Sequence, residues 1–356
     1  MLLYSVKTGD SIFTLSKKFC IDTKDVIDAN SLGPYPYLVV GQVLLIPSTD
    51  GGANTVKVDT LQRAKAFSTN IVIQPMLEDT DKNSTPVYTA NEKCEVKLSG
   101  HFETISNFKT TKMHLTVNDD TLDDVLRKED NQKLLINNIL SVIIESGFKE
   151  LYIDGLSCDA RLIIAFAENI VKTLRTMGIL VSFAVEPETW HANCGLAALG
   201  NTVDFVVLKE FCLANRQTPG AMLPYSIAVD IVDFAVRSIP SQKVVLELAL
   251  HGYDWSAPFV PGQSEKQKVS VNHIITVAAR QNVKIVHDKA SASPFIEYED
   301  EHQIQHVAWF EDILSLYKKL ELASRYNLAG VNLKLFESDL KQACLLTNQV
   351  FSENLK

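Results

Sequence analysis

Side chains able to move a proton are few in this chain, and they are unevenly placed. The segment Gly147–Leu156 reads GFKELYIDGL and carries one acid near its end, Asp154. Residues two apart on an extended strand share a face, so Tyr152, Asp154 and Leu156 are expected to point the same way. General acid catalysis needs a proton held within about 3 Å of the oxygen that leaves. Leu156 offers no such proton at any pH. Other acids stand nearby in sequence: Glu186 and Glu188 after Leu180–Val185, Glu210 after Phe205–Leu208, and Glu247 within Val244–Leu250. Of these, Glu186 and Glu210 sit at the ends of the expected strands. Asp154 also has a plain structural reading, as a half-buried acid bonded to polar neighbours. The triplet Tyr253-Asp254-Trp255 is either the lining of a mouth or a pin for a loop.

The elements that must position these residues follow from an alternation of strand-like and helix-like segments. Strands are predicted at Ile71–Met76, Val96–His101, Met113–Val117, Glu150–Asp154, Leu180–Val185, Phe205–Leu208, Val244–Leu250 and Gly330–Leu335. Helices are predicted at Asp130–Gly147, Leu162–Met177, Ser226–Ser238 and Phe310–Tyr326. Eight strands with intervening helices over about 300 residues fit an α/β fold, a (β/α)8 TIM-like barrel. Such barrels place their sites at the C-terminal ends of the strands. The block at about 255–310 breaks the alternation after the seventh strand. It holds a helix-like run at 271–281 and short β-type runs at Val283–His287, Phe295–Tyr298 and His306–Phe310, which is a small α+β insertion.

Residues 1–48 read as a separate βααβ unit. Leu3–Val6 is a strand, and Thr8-Gly9-Asp10-Ser11 is a turn whose Asp or Ser can cap a helix. Ile12, Leu15, Ser16 and Phe19 follow at helical spacing. A second helix starts at Asp22–Lys24 and ends at Asn30–Gly33, and Val43–Pro47 closes the unit. The polar, Gly-containing stretch around 49–55 reads as a linker, which leaves 56–356 for the barrel.

Bulk properties narrow the function. The chain has 356 residues, 46% of them hydrophobic, and a formal net charge of −9. That charge disfavours nonspecific binding to nucleic acid or to an anionic membrane. No apolar stretch reaches the ~18 residues of a membrane span. The six cysteines are scattered, with no C-x-x-C pair and no His-x-x-x-His, so neither a metal site nor another cofactor is expected. The start, MLLYSVKTGDSIF, lacks the basic region and apolar run of a secretory signal. The expectation is synthesis and retention in the cytoplasm of the producing cell.

Two resemblances add to this reading. Residues 4–12 (YSVKTGDSI), 15–19 (LSKKF), 27–32 (IDANSL) and 40–47 (VGQVLLIP) resemble a LysM domain, a small module that binds N-acetylglucosamine (GlcNAc)-containing glycans. The resemblance implies a groove with Gly9, Asp10, Ser11 and Ile12 on one side and Asn30, Tyr35, Tyr37 and Leu38 on the other. These same residues can instead simply build turns and caps.

The second resemblance joins GFKELYIDGL with 238–246 (SIPSQKVVL), 251–255 (HGYDW), 258–262 (PFVPG), 293–298 (SPFIEY), 308–312 (AWFED) and 328–331 (LAGV). Together they resemble family-18 glycoside hydrolases, and within them the LysM-bearing spore glycosylases of endospore-forming bacteria. Family-18 hydrolysis is substrate-assisted, outside the usual two-carboxylate scheme. The resemblance implies that Lys149, Tyr152, Asp154 and Leu156 occupy the positions of a D-x-x-D-x-D-x-E signature, with Leu156 where the proton donor belongs. It places Phe211 where a Tyr would hold the sugar's acetamide, and Lys334 where a Trp would stack on the ring. The mouth would then be lined by Tyr152, Phe211, Tyr253, Asp254, Trp255 and Lys334.

These changes imply a glycan-binding protein of the spore coat or cortex with a barrel that does not cut. Its partners would be peptidoglycan or another GlcNAc glycan, and spore coat proteins. An active N-acetylglucosaminidase using a non-standard acid, Glu186 or Glu210, is the competing expectation. A barrel that binds glycan without cutting is a third.

Overall fold

A computed structural model of the chain describes residues 2–33, 37–47, 75–78, 87–91, 93–98, 112–117, 125–154, 159–186, 195–209, 218–261, 263–336 and 341–352. The N-terminal unit pairs strand Leu2–Ser5 antiparallel with Val43–Ile46. Two short helices, Ile12–Phe19 and Thr23–Ala29, lie between them. Ser11 starts the first helix with a reciprocal cap: its hydroxyl accepts from the Thr14 N–H at 3.1 Å, and Thr14 Oγ1 accepts from the Ser11 N–H at 2.8 Å. Val6, Ile12, Leu15, Val26, Leu44 and Ile46 form the unit's own core.

The strand Val43–Ile46 is buried along its whole length. Its side chains alternate between two cores. Leu44 and Ile46 face the small unit, whereas Val43 and Leu45 belong to the large apolar cluster of the barrel. The outer face of this strand packs on the barrel helix Ile313–Arg325.

Asn30 stitches the second helix to that strand. Its Nδ2 donates to the carbonyls of Val26 (2.7 Å) and Leu45 (2.8 Å), and its Oδ1 accepts from the Leu45 N–H (2.7 Å). Asn30→Ala leaves a buried N–H and two carbonyls without these partners. The expected cost is about 2–4 kcal/mol, read as a fall in the urea midpoint of the full chain.

The barrel has eight parallel strands: Pro75–Glu78, Val87–Ala90, Lys112–Val117, Glu150–Asp154, Leu180–Val185, Phe205–Leu208, Val244–Leu250 and Gly330–Phe336. Four of the expected strands, from Glu150–Asp154 through Val244–Leu250, are found with the same bounds. The second strand is a correction. Val96–Leu98, expected to be a barrel strand, pairs antiparallel with Val87–Ala90, and it is Val87–Ala90 that runs parallel to Lys112–Val117. Both runs are short and bounded by polar residues, so pairing partners rather than composition decide which one enters the barrel. The first strand is described at Pro75–Glu78. Residues 71–74 of its expected span, and the linker at 49–55, lie outside the described residues.

Parity along the strands separates two layers. Leu151, Ile153, Val181, Phe183, Val206, Leu208, Leu246, Leu248, Val331 and Leu333 face outward into the core with the helices. Tyr152, Ala184, Val207 and Val245 face inward as a small cluster of their own. Helices Glu129–Ser146, Ala160–Arg175, Tyr225–Ser238 and Ile313–Arg325 match those expected to within three residues at each end. Helices Leu196–Thr202 and Lys341–Ser352 were not anticipated.

The insertion is a five-stranded antiparallel sheet with one helix, Val271–Arg280. The sheet starts at Gly252, three residues earlier than expected, and includes an unforeseen strand, Lys266–Val269. The chain returns to the barrel through a buried ion pair. Glu311 and Lys319 meet at 2.5 Å with side chains 2% and 4% exposed, and the Ser293 hydroxyl donates to Glu311 Oε1 at 3.2 Å. The next residue, Asp312, caps helix Ile313–Arg325 and is bonded by His287 Nε2 at 2.7 Å.

Candidate functional site

The inward face of the barrel holds polar groups in two levels. In the interior, Glu247 is 2% exposed. Its Oε2 accepts from the Tyr152 hydroxyl at 3.2 Å and from Asn332 Nδ2 at 3.0 Å. Three strands are tied by this network: the fourth, seventh and eighth. Below it, Ser182 Oγ donates to Glu150 Oε1 at 3.1 Å. Buried polar groups are tolerable when bonded in this way. Tyr152 is fully buried, so it forms part of the barrel's interior packing and does not line an open mouth.

At the C-terminal strand ends the arrangement is ionic. Lys209 Nζ lies 2.9 Å from Asp154 Oδ1 and 3.8 Å from Glu186 Oε1. Asp154 ends the fourth strand, Lys209 follows the sixth, and Glu186 follows the fifth between them. The Asp154–Lys209 pair is largely buried, with side chains 12% and 21% exposed, whereas Glu186 is 60% exposed. The Asp154 carboxyl is thus engaged with a lysine at the strand ends.

Leu156, Glu210, Phe211 and Tyr35 lie outside the described residues, as does Glu188. Lys334 is placed by its backbone alone, paired in register with Ala249 and Met76.

The triplet in the insertion resolves toward packing. Trp255 is 2% exposed, and its strand is paired on both sides, to Lys266–Val269 and to Gln305–Phe310. A buried indole stacks on no sugar, so the expectation of Trp255 at the mouth is corrected. Asp254 accepts from the Tyr298 hydroxyl at 2.5 Å and stands 3.2 Å from His306 Nδ1. Burial, and then the Asp254 bond, push the Tyr298 phenol well above its ordinary range. Tyr253 is half-buried, edge-on to His251 and beneath Lys266 Nζ at 4.7 Å. The three residues hold the insertion's sheet together.

In the N-terminal unit, Gly9 has φ +88, a left-handed turn that favours glycine. Asp10 accepts from the Lys7 N–H at 2.7 Å and from the Tyr4 hydroxyl at 2.8 Å. The Lys7 backbone bond foremost, with the Tyr4 bond and nearby lysines, holds its carboxyl below the usual range. Ser11 caps, Ile12 is buried, and Asn30 is 5% exposed with its amide given to the backbone. The Asn30 side chain therefore does structural work in place of a groove contact. Leu38 is half-buried, and Tyr37 stands 75% exposed. Sequence reasoning did not foresee the Lys209–Asp154 pair. The one signal for it was a lysine at the end of an inward-facing row.

Among the described residues no cluster of His, Cys, Asp and Glu suited to a metal is found. Among the same residues, no helix is long and apolar enough to cross a membrane.

Comparison with known proteins places this geometry. The family model described as Glycosyl hydrolases family 18 matches residues 54–333, and the LysM domain model matches residues 4–47. A cortical fragment-lytic enzyme of Bacillus anthracis is 26% identical over 404 aligned positions, covering 93% of this chain and 94% of that protein. Its counterpart in Bacillus subtilis is 27% identical, over 64% of this chain and 56% of its own length. The match thus spans little more than half of that relative. The crystal structure of the Bacillus megaterium spore cortex-lytic enzyme SleL superposes with a TM-score of 0.81 at 25% identity, over 98% of each chain. The chain belongs to glycosyl hydrolase family 18 and carries a LysM domain ahead of its barrel.

Proposed function

We propose that this protein binds GlcNAc-containing glycan, peptidoglycan foremost, at the spore envelope, and that its family-18 barrel does not cleave the glycan it meets. One observation carries the second half. The strand that should present a proton-donating acid ends at Asp154, the sequence continues with Gly155 and Leu156, and the remaining acid is held by Lys209 at 2.9 Å. Loss of general acid catalysis costs about 10²–10⁴ in rate, and a sugar alkoxide is a poor leaving group. Glu186, the substitute acid that the described residues include, is exposed and turned toward the same lysine.

The LysM unit and the spore cortex-lytic relatives support the choice of glycan and place. Spore coat proteins are proposed as further partners, and the residue ranges 1–48 and 56–356 as the two working units.

Purified full-length protein, incubated with chitohexaose and with spore cortex peptidoglycan, tests both halves. It is expected to sediment with peptidoglycan and to release no reducing ends above the buffer blank. Turnover by the unaltered chain would refute the non-cleaving reading and point to a non-standard acid. Failure to sediment would refute glycan binding.

A further inference from the structure

The LysM unit meets the insertion as well as the barrel, and the meeting point adjoins its expected groove. The Val40 carbonyl accepts from the Ile285 N–H at 2.9 Å. Val39 is buried in the insertion's own core, with Val269, Ile274, Ile285 and Phe310. Gly41 has φ +91, and a Cβ placed there would stand 2.0 Å from the Ile285 carbonyl oxygen. Only glycine fits such an approach.

The loop is also stiff from within. The Gly41 N–H donates to Val6 O, the Val6 N–H donates to Gln42 O, both at 2.9 Å, and Gln42 Oε1 accepts from the Val39 N–H at 3.1 Å. A second contact lies at the far end of the unit, where Gln342 Nε2 of helix Lys341–Ser352 donates to Asn30 Oδ1 at 2.5 Å. A third is the strand Val43–Ile46, whose outer face joins the barrel core.

We propose that the LysM unit is a docked part of the barrel body, and that the insertion, through Ile285, holds one wall of the unit's glycan groove. Tyr37 and Leu38 run directly into the pinned segment Val39–Gly41. The groove is therefore fixed before glycan arrives, and a bound GlcNAc strand takes one orientation relative to the barrel. Pre-ordering the wall removes an ordering cost from binding. The affinity effect rests on the glycan-binding reading above; the docking does not.

Hydrogen exchange on the full chain tests the docking without any ligand. The Ile285 amide is expected to exchange as slowly as those of Ile296 and Phe310, and fast exchange at Ile285 would overturn the proposal. Gly41→Val should release the Ile285 amide while those of Leu15 and Leu45 stay protected. Its affinity for chitohexaose should fall about tenfold. Ile285→Pro deletes the same donor without touching the LysM sequence, which guards against a Gly41 variant that merely unfolds the unit. Undiminished chitohexaose affinity in Ile285→Pro would overturn the role of the insertion. Absence of binding by the unaltered protein would instead refute the glycan reading and leave the exchange result standing.

Discussion

Leu156→Glu combined with Lys209→Met is expected to open glycosidase activity that neither change opens alone. The first change restores a carboxylic acid two residues beyond Asp154. The second removes the ammonium that otherwise stands 2.9 Å from Asp154 Oδ1. The family resemblance implies that this Asp helps to orient the sugar's acetamide, and the lysine competes for its carboxylate. The double variant should therefore exceed Lys209→Met by about 10²–10⁴ in rate, the usual worth of a general acid. Phe211 and Lys334 still depart from the family pattern and limit the absolute rate. Reducing-end release from chitohexaose measures it. A Leu156→Glu variant as fast as the double variant would show that Lys209 does not restrain Asp154. A silent double variant would show that the mouth has lost the family's geometry altogether.

The largest effect on stability is expected at the return from the insertion. Lys319→Met strands Glu311, which is 2% exposed and also accepts from Ser293. Removing one partner of a buried pair leaves an uncompensated charge and costs about 3–5 kcal/mol. The chemical-denaturation midpoint of the full chain should fall accordingly. Glu311→Leu with Lys319→Met should recover most of the loss, because two apolar groups bring no charge to desolvate. A double variant as unstable as the single would show that the pair fixes the local structure in a way that packing cannot replace.

Four barrel strands were legible residue for residue because their outward positions are almost all aliphatic. Buried on both faces, they read as near-continuous apolar runs between polar boundaries. Val87–Ala90 escaped because four residues carry no such run, and its antiparallel neighbour Val96–Leu98 looks equally strand-like.

At the site, Asp154 and the missing acid after it were readable from the family resemblance of GFKELYIDGL. The partner of Asp154 was not. Lys209 reaches it from two strands away, past Glu186, a pairing set by the sheet and not by the spacing of the sequence. Trp255 was evenly divided between stacking on sugar and packing, and its burial decided the matter. The run VLLI at 43–46 held a signal that was overlooked. In a two-stranded sheet, a strand apolar at every position must be covered on both sides, and here the second cover is the barrel.

That coverage bears on how the protein can be cut. Taking away the first 47 residues would strip Val43 and Leu45 from the flank of helix Ile313–Arg325 and lay a greasy strip open to water. A truncated barrel should then self-associate, so any loss of function it shows would report stickiness as much as the want of a carbohydrate anchor.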